Sequence, residues 1–150
     1  MATTQFDAEN ADNLEDIEKQ FAVKAVMHAQ TYWTMMEKMR GSAMHFTRED
    51  DEIYETFVAE FPEYNSADAV DKINEDEMKS AKGKERWRKF MNQFEKRVHD
   101  FNFGTLLRTA ARAEYQEDTT IFVPRMQFLA IEIARNRHGL NDWIYEDAHK

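Results

Sequence analysis

Four charged residues, Arg125, Glu132, Arg135 and Arg137, are threaded through the otherwise apolar stretch "TIFVPRMQFLAIEIARNRHGLND", residues 120–142. On a helix, Glu132 has Arg135 one turn ahead and Arg125 two turns back, and Arg108 in the preceding run "TLLRT" is a further partner. Charges on a largely apolar segment need partners. Two arrangements satisfy that need: a salt-bridge network fixing a hairpin to the helix, or a guanidinium cluster whose unpaired member faces a carboxylate or phosphate of another molecule.

Other reactive groups are scattered. His28 lies on the apolar stripe of a helix, where it reads as a hydrogen-bonded core histidine or, alternatively, as a ligand or acid/base group. His45 and Glu49 have one-turn spacing but straddle a helix start, and "REDDE" (48–52) could hold a metal or simply favour the first turn of a helix. Ser42, Ser66 and Ser80 sit in no nucleophile-elbow context, and cysteine is absent, which removes thiolate chemistry and fits a reducing compartment. Four single glycines build neither a P-loop nor a dinucleotide fingerprint. The expectation is therefore no catalytic residue, no cofactor and no metal, although 29 acidic residues leave accidental carboxylate pairs open.

The elements that position these groups follow from periodicity. Leu14, Ile17, Phe21, Ala25, Tyr32, Met35, Met36 and Met39 recur at helical steps up to Gly41, with the methionines expected to fill an irregular core rather than form an adaptable surface. Thr47 should cap a second helix, with Asp50 in capping-box position, an inward face of Ile53, Tyr54, Phe57, Val58 and Phe61, and Pro62 as its stop. Ser66 should cap a short helix carrying Val70 and Ile73. Beyond it, Trp87, Phe90, Met91, Phe94, Val98 and Phe101 share one arc, with Lys82, Arg86, Lys89, Lys96 and Arg97 behind them. That basic stripe is solvated or meets ribosomal RNA or an acidic protein. "TLLRT" and "TTIFV" should pair as a hairpin, Pro124 should open a final helix, and Gly139 should cap it. On that helix Met126, Phe128, Leu129, Ala130, Ile131, Ile133 and Ala134 leave a narrow polar sector of Arg125, Glu132 and Asn136.

The predicted fold is mainly α, one compact helical domain over residues 13–150 with a small β-hairpin before the C-terminal helix, behind a disordered acidic tail at 1–12. At 150 residues and 42% hydrophobic composition, the chain can bury a core without staples. A net charge of −9 disfavours general binding to nucleic acid or anionic lipid, so neither direct sequence-specific nucleic-acid binding nor a membrane partner is expected, and no run suggests a signal peptide or membrane span. Residues 1–80 carry 7 basic against 19 acidic residues and residues 81–150 carry 13 against 10, so faces of opposite sign are expected if the halves do not interleave.

Five segments in order, "AVMHAQTYW", "FTREDDEIYETFVAEFP", "KERWRKF", "DFNFGTLLR" and "TIFVPRMQFLAIEIARNRHGLND", resemble the eukaryotic family called polysaccharide biosynthesis domain-containing protein 1. His138 departs from it, standing where an acidic residue is expected before the glycine. The resemblance implies a cytoplasmic chaperone, with a nuclear location left open, dedicated to newly made translation elongation factor 1-alpha and acting near the ribosome with the nascent polypeptide-associated complex. The family name suggests instead an enzyme or accessory protein of polysaccharide biosynthesis, and a ribosome-associated scaffold is a third alternative. Polar placement beside the matching motifs nominates Asn102, Arg108, Arg125, Arg135, Asn136 and Arg137 as partner-binding residues.

Overall fold

The computed structural model describes the backbone of residues 3–150 and the side chains from Lys19 onward. Its elements are α1 (Thr3–Lys38), α2 (Asp50–Glu60), α3 (Ala67–Asp71), α4 (Glu75–Lys79), α5 (Ala81–Asn92), β1 (Gly104–Arg108), β2 (Thr120–Pro124), α6 (Arg125–Arg137) and α7 (Asp142–Ala148). The backbone of α1 is already helical where a tail is expected. Leu14 and Ile17, expected on its inward stripe, fall outside the described side chains.

Every residue from Met126 to Asn136 is buried, so α6 is the axis around which the other elements pack. An apolar surface on nearly all sides of a helix can be removed from water only in this way. The narrow polar sector expected to escape does not do so: Glu132 and Asn136 are covered too, and only Arg125 of the three retains partial exposure. Pro124 precedes the first turn with φ −61°, and the N–H groups of Arg125 and Met126 donate to the carbonyls of Phe103 and Phe101 at 2.6 and 2.7 Å. Two donors orphaned by the helix start are thereby satisfied. At the other end Gly139 takes φ +71°, Leu140 N–H reaches the Arg135 carbonyl and Gly139 N–H that of Asn136, which is a Schellman closure.

α6 is not the final helix. After Gly139 the chain turns into α7, whose Ile144 is buried and whose Asp142 accepts from the Ser42 backbone N–H and hydroxyl at 3.0 and 2.9 Å. Seven residues carry too little periodicity to announce such an element.

β1 and β2 pair antiparallel with Leu106 opposite Phe122, as expected, and β1 lies across α1. Alternation turns Thr105 and Leu107 inward while Phe122 faces solvent. Their connector is anchored to the end of α3: Ala111 N–H donates to the Asp71 carbonyl at 2.8 Å and Ile73 N–H to that of Thr109 at 3.0 Å.

On α1 the inward face is Ala25, Ala29, Tyr32 and Met36, whereas Phe21, Met35 and Met39 point outward. The methionines therefore divide between roles: Met36, Met44, Met78 and Met126 fill the core, and Met27, Met35 and Met39 stand in solvent. In α2 the expected inward residues Ile53, Phe57 and Phe61 are buried. Its start differs from a simple Thr47 cap. Asp50 turns inward and accepts from the Phe46 and Thr47 N–H groups at 2.7 and 2.9 Å, while Thr47 Oγ1 accepts from Glu49 N–H.

The surface helix expected to carry the arc from Trp87 to Phe101 is not continuous, and the chain breaks ahead of it as well. Ser80 ends α4 and caps α5, its hydroxyl accepting from Gly83 N–H at 3.0 Å and donating to the Glu77 carbonyl at 2.7 Å. Beyond Asn92 the chain proceeds by turns, with the Phe94 carbonyl receiving both Arg97 and Val98 N–H groups. Phe94 and Val98 stay buried because successive turns preserve their four-residue spacing, which is why the pattern imitates one helix. Trp87, Phe90 and Phe94 join Phe57, Phe61 and Tyr64 in an aromatic cluster whose closest rings, Phe61 and Trp87, are 4.5 Å apart.

Charge does not segregate into two faces, because the halves interleave. Arg86 pairs with Glu63 at 2.7 Å, Arg97 with Glu52 at 2.7 Å, and Arg137 with Asp51. Front-half carboxylates thus neutralise part of the basic stripe.

A methyl group at Gly83 would run into the backbone carbonyl of Glu77. Gly83→Ala should therefore lower the thermal midpoint by about 3 °C or more, against the gain of roughly 1 kcal/mol that Ala normally brings to a helix interior. Thermal unfolding followed by circular dichroism checks this, and a raised midpoint would show that the α4–α5 corner yields freely.

Candidate functional site

Beneath the hairpin, five side chains from four segments close on Glu132, whose side chain is 1% exposed. Arg108 Nη2 donates to Glu132 Oε1 at 3.2 Å and Arg135 Nη1 to Oε2 at 2.7 Å. Tyr32 Oη donates to Oε1 at 2.7 Å, and Asn141 Nδ2 lies 3.1 Å from the same oxygen. Asn136 completes the set, accepting from Asn141 at 2.7 Å. Two guanidinium groups against one carboxylate would leave a positive charge unbalanced, and backbone carbonyls take it up: Ala111 and Ala113 for Arg108, Val70 and Asp71 for Arg135. These carbonyls belong to the β1–β2 connector and to α3. The cluster therefore fastens α1, α3, the hairpin and α7 to α6. Between the arrangements left open by the sequence, Glu132 has taken the salt-bridge network, with Arg108 and Arg135 as partners and without Arg125.

Burial alone would raise the Glu132 pKa, but Arg108 and Arg135, with the Tyr32 and Arg135 hydrogen bonds, overcome it and hold the group at about 2. The Tyr32 hydroxyl is driven well above its usual range, first by burial and then by the Glu132 charge, so it remains a donor.

Above this cluster, α1 and the hairpin enclose a groove of about 850 Å³. Val26, Ala29, Trp33, Leu106 and Tyr115 give it an apolar floor, and Gln30, Thr34, Glu114 and Glu117 give it polar walls. Trp33 stands edge-on to Tyr115 and Trp143, with centroids at 6.3 and 5.9 Å. The Arg108 guanidinium lies 5.9 Å from the Trp33 ring and 5.7 Å from Tyr115, so the network supports the groove floor directly. Apolar surface continues along the same seam. Phe122 is 60% exposed and Val26 47%, and a second slot of about 400 Å³ is lined by Phe21, Phe103 and Phe122. Contiguous exposed apolar surface of this kind marks an interaction site. Its carboxylate walls suit a polypeptide segment that presents apolar side chains beside Lys or Arg.

The nominated residues divide in two. Arg108, Arg135 and Asn136 are brought together in the buried network and are withdrawn from solvent. Direct contact with a partner is left to Asn102, Arg125 and Arg137, which lie apart: Asn102 beside the Phe103 slot, Arg137 on Asp51 and over the Tyr54 ring at 4.9 Å, and Arg125 on the far side of the hairpin. Trp33, Tyr115, Leu106 and Phe122 were not among the nominations. Alternation along the strands carries a signal for Leu106 and Phe122, whereas nothing local marks Trp33 as the floor of a groove. His28 is half-buried, with Nδ1 2.9 Å from Thr105 Oγ1 and its ring edge-on to Phe128. Among the described residues no three His, Asp or Glu converge as a metal site, and no helix is long and apolar enough to cross a membrane.

Removing one partner from a buried, hydrogen-bonded ion cluster costs about 3–5 kcal/mol. Arg108→Ala should lose that much, read as a large fall in the urea midpoint; an unchanged midpoint would show that Arg108 serves contact rather than structure. The pH dependence has a definite sign. A carboxylate whose folded pKa is depressed stabilises fully above its unfolded value and loses that contribution as pH falls toward the folded one. Wild type should therefore lose stability between about pH 4.5 and about pH 2, and Glu132→Gln, already less stable at neutral pH, should show a flatter profile across that window.

The sequence pattern of the family described as PBDC1 protein matches residues 17–146. The chain is 58% identical to the Protein PBDC1 homolog of Schizosaccharomyces pombe over 98% of its own length and 100% of that protein, and 60% identical to the homolog of Saccharomyces cerevisiae over 93% and 95%. Protein PBDC1 of Homo sapiens is 41% identical over 92% of this chain and 58% of its own length. A solution NMR structure of a Saccharomyces cerevisiae protein superposes with a TM-score of 0.84 at 59% identity, covering 97% of this chain and 99% of that one. With its fold, its aligned length and its motifs in agreement, this chain belongs to the PBDC1 protein family.

Proposed function

We propose that this protein is a co-translational chaperone that captures newly made translation elongation factor 1-alpha near the ribosome, together with the nascent polypeptide-associated complex, while the client's GTP-binding domain folds. The observation that carries the capture reading is the apolar seam along α1 and the hairpin, which joins a walled groove, with half-buried Leu106 on its floor, to exposed Val26 and Phe122. An emerging domain exposes apolar side chains that such a seam can cover. The identity of the client comes from the family resemblance. Elongation factor 1-alpha is basic as a family, and Glu114 and Glu117 on the groove wall, with a net charge of −9 behind them, would steer it to this surface. Nucleotide is bound by the client, and this chain acts in the cytoplasm.

An enzyme of polysaccharide biosynthesis would need convergent carboxylates acting on a glycosidic bond. In the groove Glu114 and Glu117 flank an aromatic and aliphatic floor suited to apolar side chains. A ribosome-docked scaffold would rely on the basic side of α5, where Arg86 is committed to Glu63 and, just beyond the helix, Arg97 to Glu52.

Affinity capture from a translating extract, with sequencing of the associated nascent chains, tests the proposal. Elongation factor 1-alpha chains whose GTP-binding domain has emerged should be strongly enriched, and an unselective sample would sink client specificity. Phe122→Asp and Val26→Asp, both at exposed positions, should each reduce that enrichment by roughly tenfold with the thermal midpoint near wild type. Capture insensitive to both would move the contact away from the seam.

A further inference from the structure

On the opposite side of β1 from the groove, a smaller cavity of about 250 Å³ is lined by Lys24 and His28 from α1, Phe103, Gly104 and Thr105 from the start of the hairpin, and Arg125 from α6. Among the described residues neither Lys24 nor Arg125 forms an ion pair, and Arg125 Nε is buried without a hydrogen-bond partner. His28 commits Nδ1 to Thr105 and leaves its other ring nitrogen free. Lys24 Nζ is 5.8 Å from the Phe103 ring centre. Asp100 also lines the cavity and is 3.2 Å from the exposed His99. With His28 neutral, the facing groups still sum to a positive charge in a protein that is otherwise strongly acidic. A buried guanidinium nitrogen without an acceptor is costly unless something supplies one.

The cavity shares Phe103 and Gly104 with the apolar slot of Phe21 and Phe122. A ligand bridging both must carry an oxyanion next to an apolar group. We infer that Lys24, His28 and Arg125 form an oxyanion pocket that takes the side-chain carboxylate of a bound polypeptide whose adjacent apolar side chain enters the slot at Phe103 and Phe122. The inference rests on the capture reading for its polypeptide, and on geometry alone for the pocket. It also gives the unpaired guanidinium its place: that member is Arg125, while Arg108 and Arg135 are consumed by Glu132.

His28 is held below its ordinary pKa by burial and then by Arg125, so the imidazole is neutral in the free protein at pH 7. A carboxylate in the pocket would favour its protonation against Arg125, Lys24 and Asp100 being the other charged groups that line the cavity. Binding should therefore tighten as pH falls below neutrality.

The test is an NMR titration of the full chain with a short end-blocked peptide containing Phe-Glu, its Phe-Gln counterpart, and inorganic phosphate. The Phe-Glu peptide should shift the His28 ring and Arg125 Nε signals and bind roughly tenfold more tightly than Phe-Gln. Arg125→Gln, or exposed Lys24→Gln if the first perturbs folding, should remove that preference, and Arg112→Gln should not. Equal binding of the two peptides, or no shift at His28 and Arg125, overturns the pocket. Phosphate that shifts these signals when the peptides do not overturns the polypeptide as its source. Because the titration needs no client, its failure leaves nascent-chain capture standing, and unselective capture would leave a positive titration intact.

Discussion

One carboxylate with two guanidinium groups, sealed from water, is the constraint on which this structure depends. Glu132 would be intolerable on a fully buried helix without Arg108 and Arg135, and neither arginine could stay buried without the carbonyls of Ala111, Ala113, Val70 and Asp71. Those carbonyls lie in segments with little regular structure of their own. Hydrogen bonds to charged donors fix the path of the β1–β2 connector and of the α3 terminus more tightly than their modest apolar contacts could. Tyr32 and Asn141 bring α1 and the start of α7 into the same arrangement.

The groove follows from that arrangement. Arg108 lies beneath Trp33 and Tyr115, so the group that neutralises Glu132 also holds up the floor on which an apolar segment would rest. A rigid floor flanked by an exposed strand and the outer face of a helix gives an adaptable upper surface on a fixed base. The division suits capture of an incompletely folded chain, in which shape varies while the chemistry of exposed apolar groups does not.

Charge has two separate uses here. At the surface, acidic residues of the front half meet arginines of the back half, and these exposed pairs contribute little each. In the interior, a far smaller number of charges decides which elements meet. The cavity of Lys24, His28 and Arg125 differs from both, being basic and partly buried, with Arg125 Nε left without an acceptor.

Much of the fold was legible before any coordinates. Periodicity gave the helices, alternation and turn residues gave the hairpin, and Pro124 and Gly139 marked the two ends of α6. The misreadings have a common cause. Turns that keep Phe94 and Val98 four residues apart imitate a helix, seven residues of α7 are too few to show a period, and charged halves distant in sequence interleave in space. Glu132 and its arginines were recognisable as a set needing partners, because a carboxylate within an apolar helix cannot be left unpaired. Which arginine stays free was not recognisable: Arg135, Arg125 and Arg108 were all candidate partners of Glu132, and only the packing of α3 and of the connector around Arg135 and Arg108 leaves Arg125 over. Local spacing thus determined the elements and the need for a buried ion cluster. Tertiary packing decided its membership, the groove above it and the place of Trp33 on that groove's floor, because these depend on which surfaces distant segments cover, and no short window of sequence contains that information.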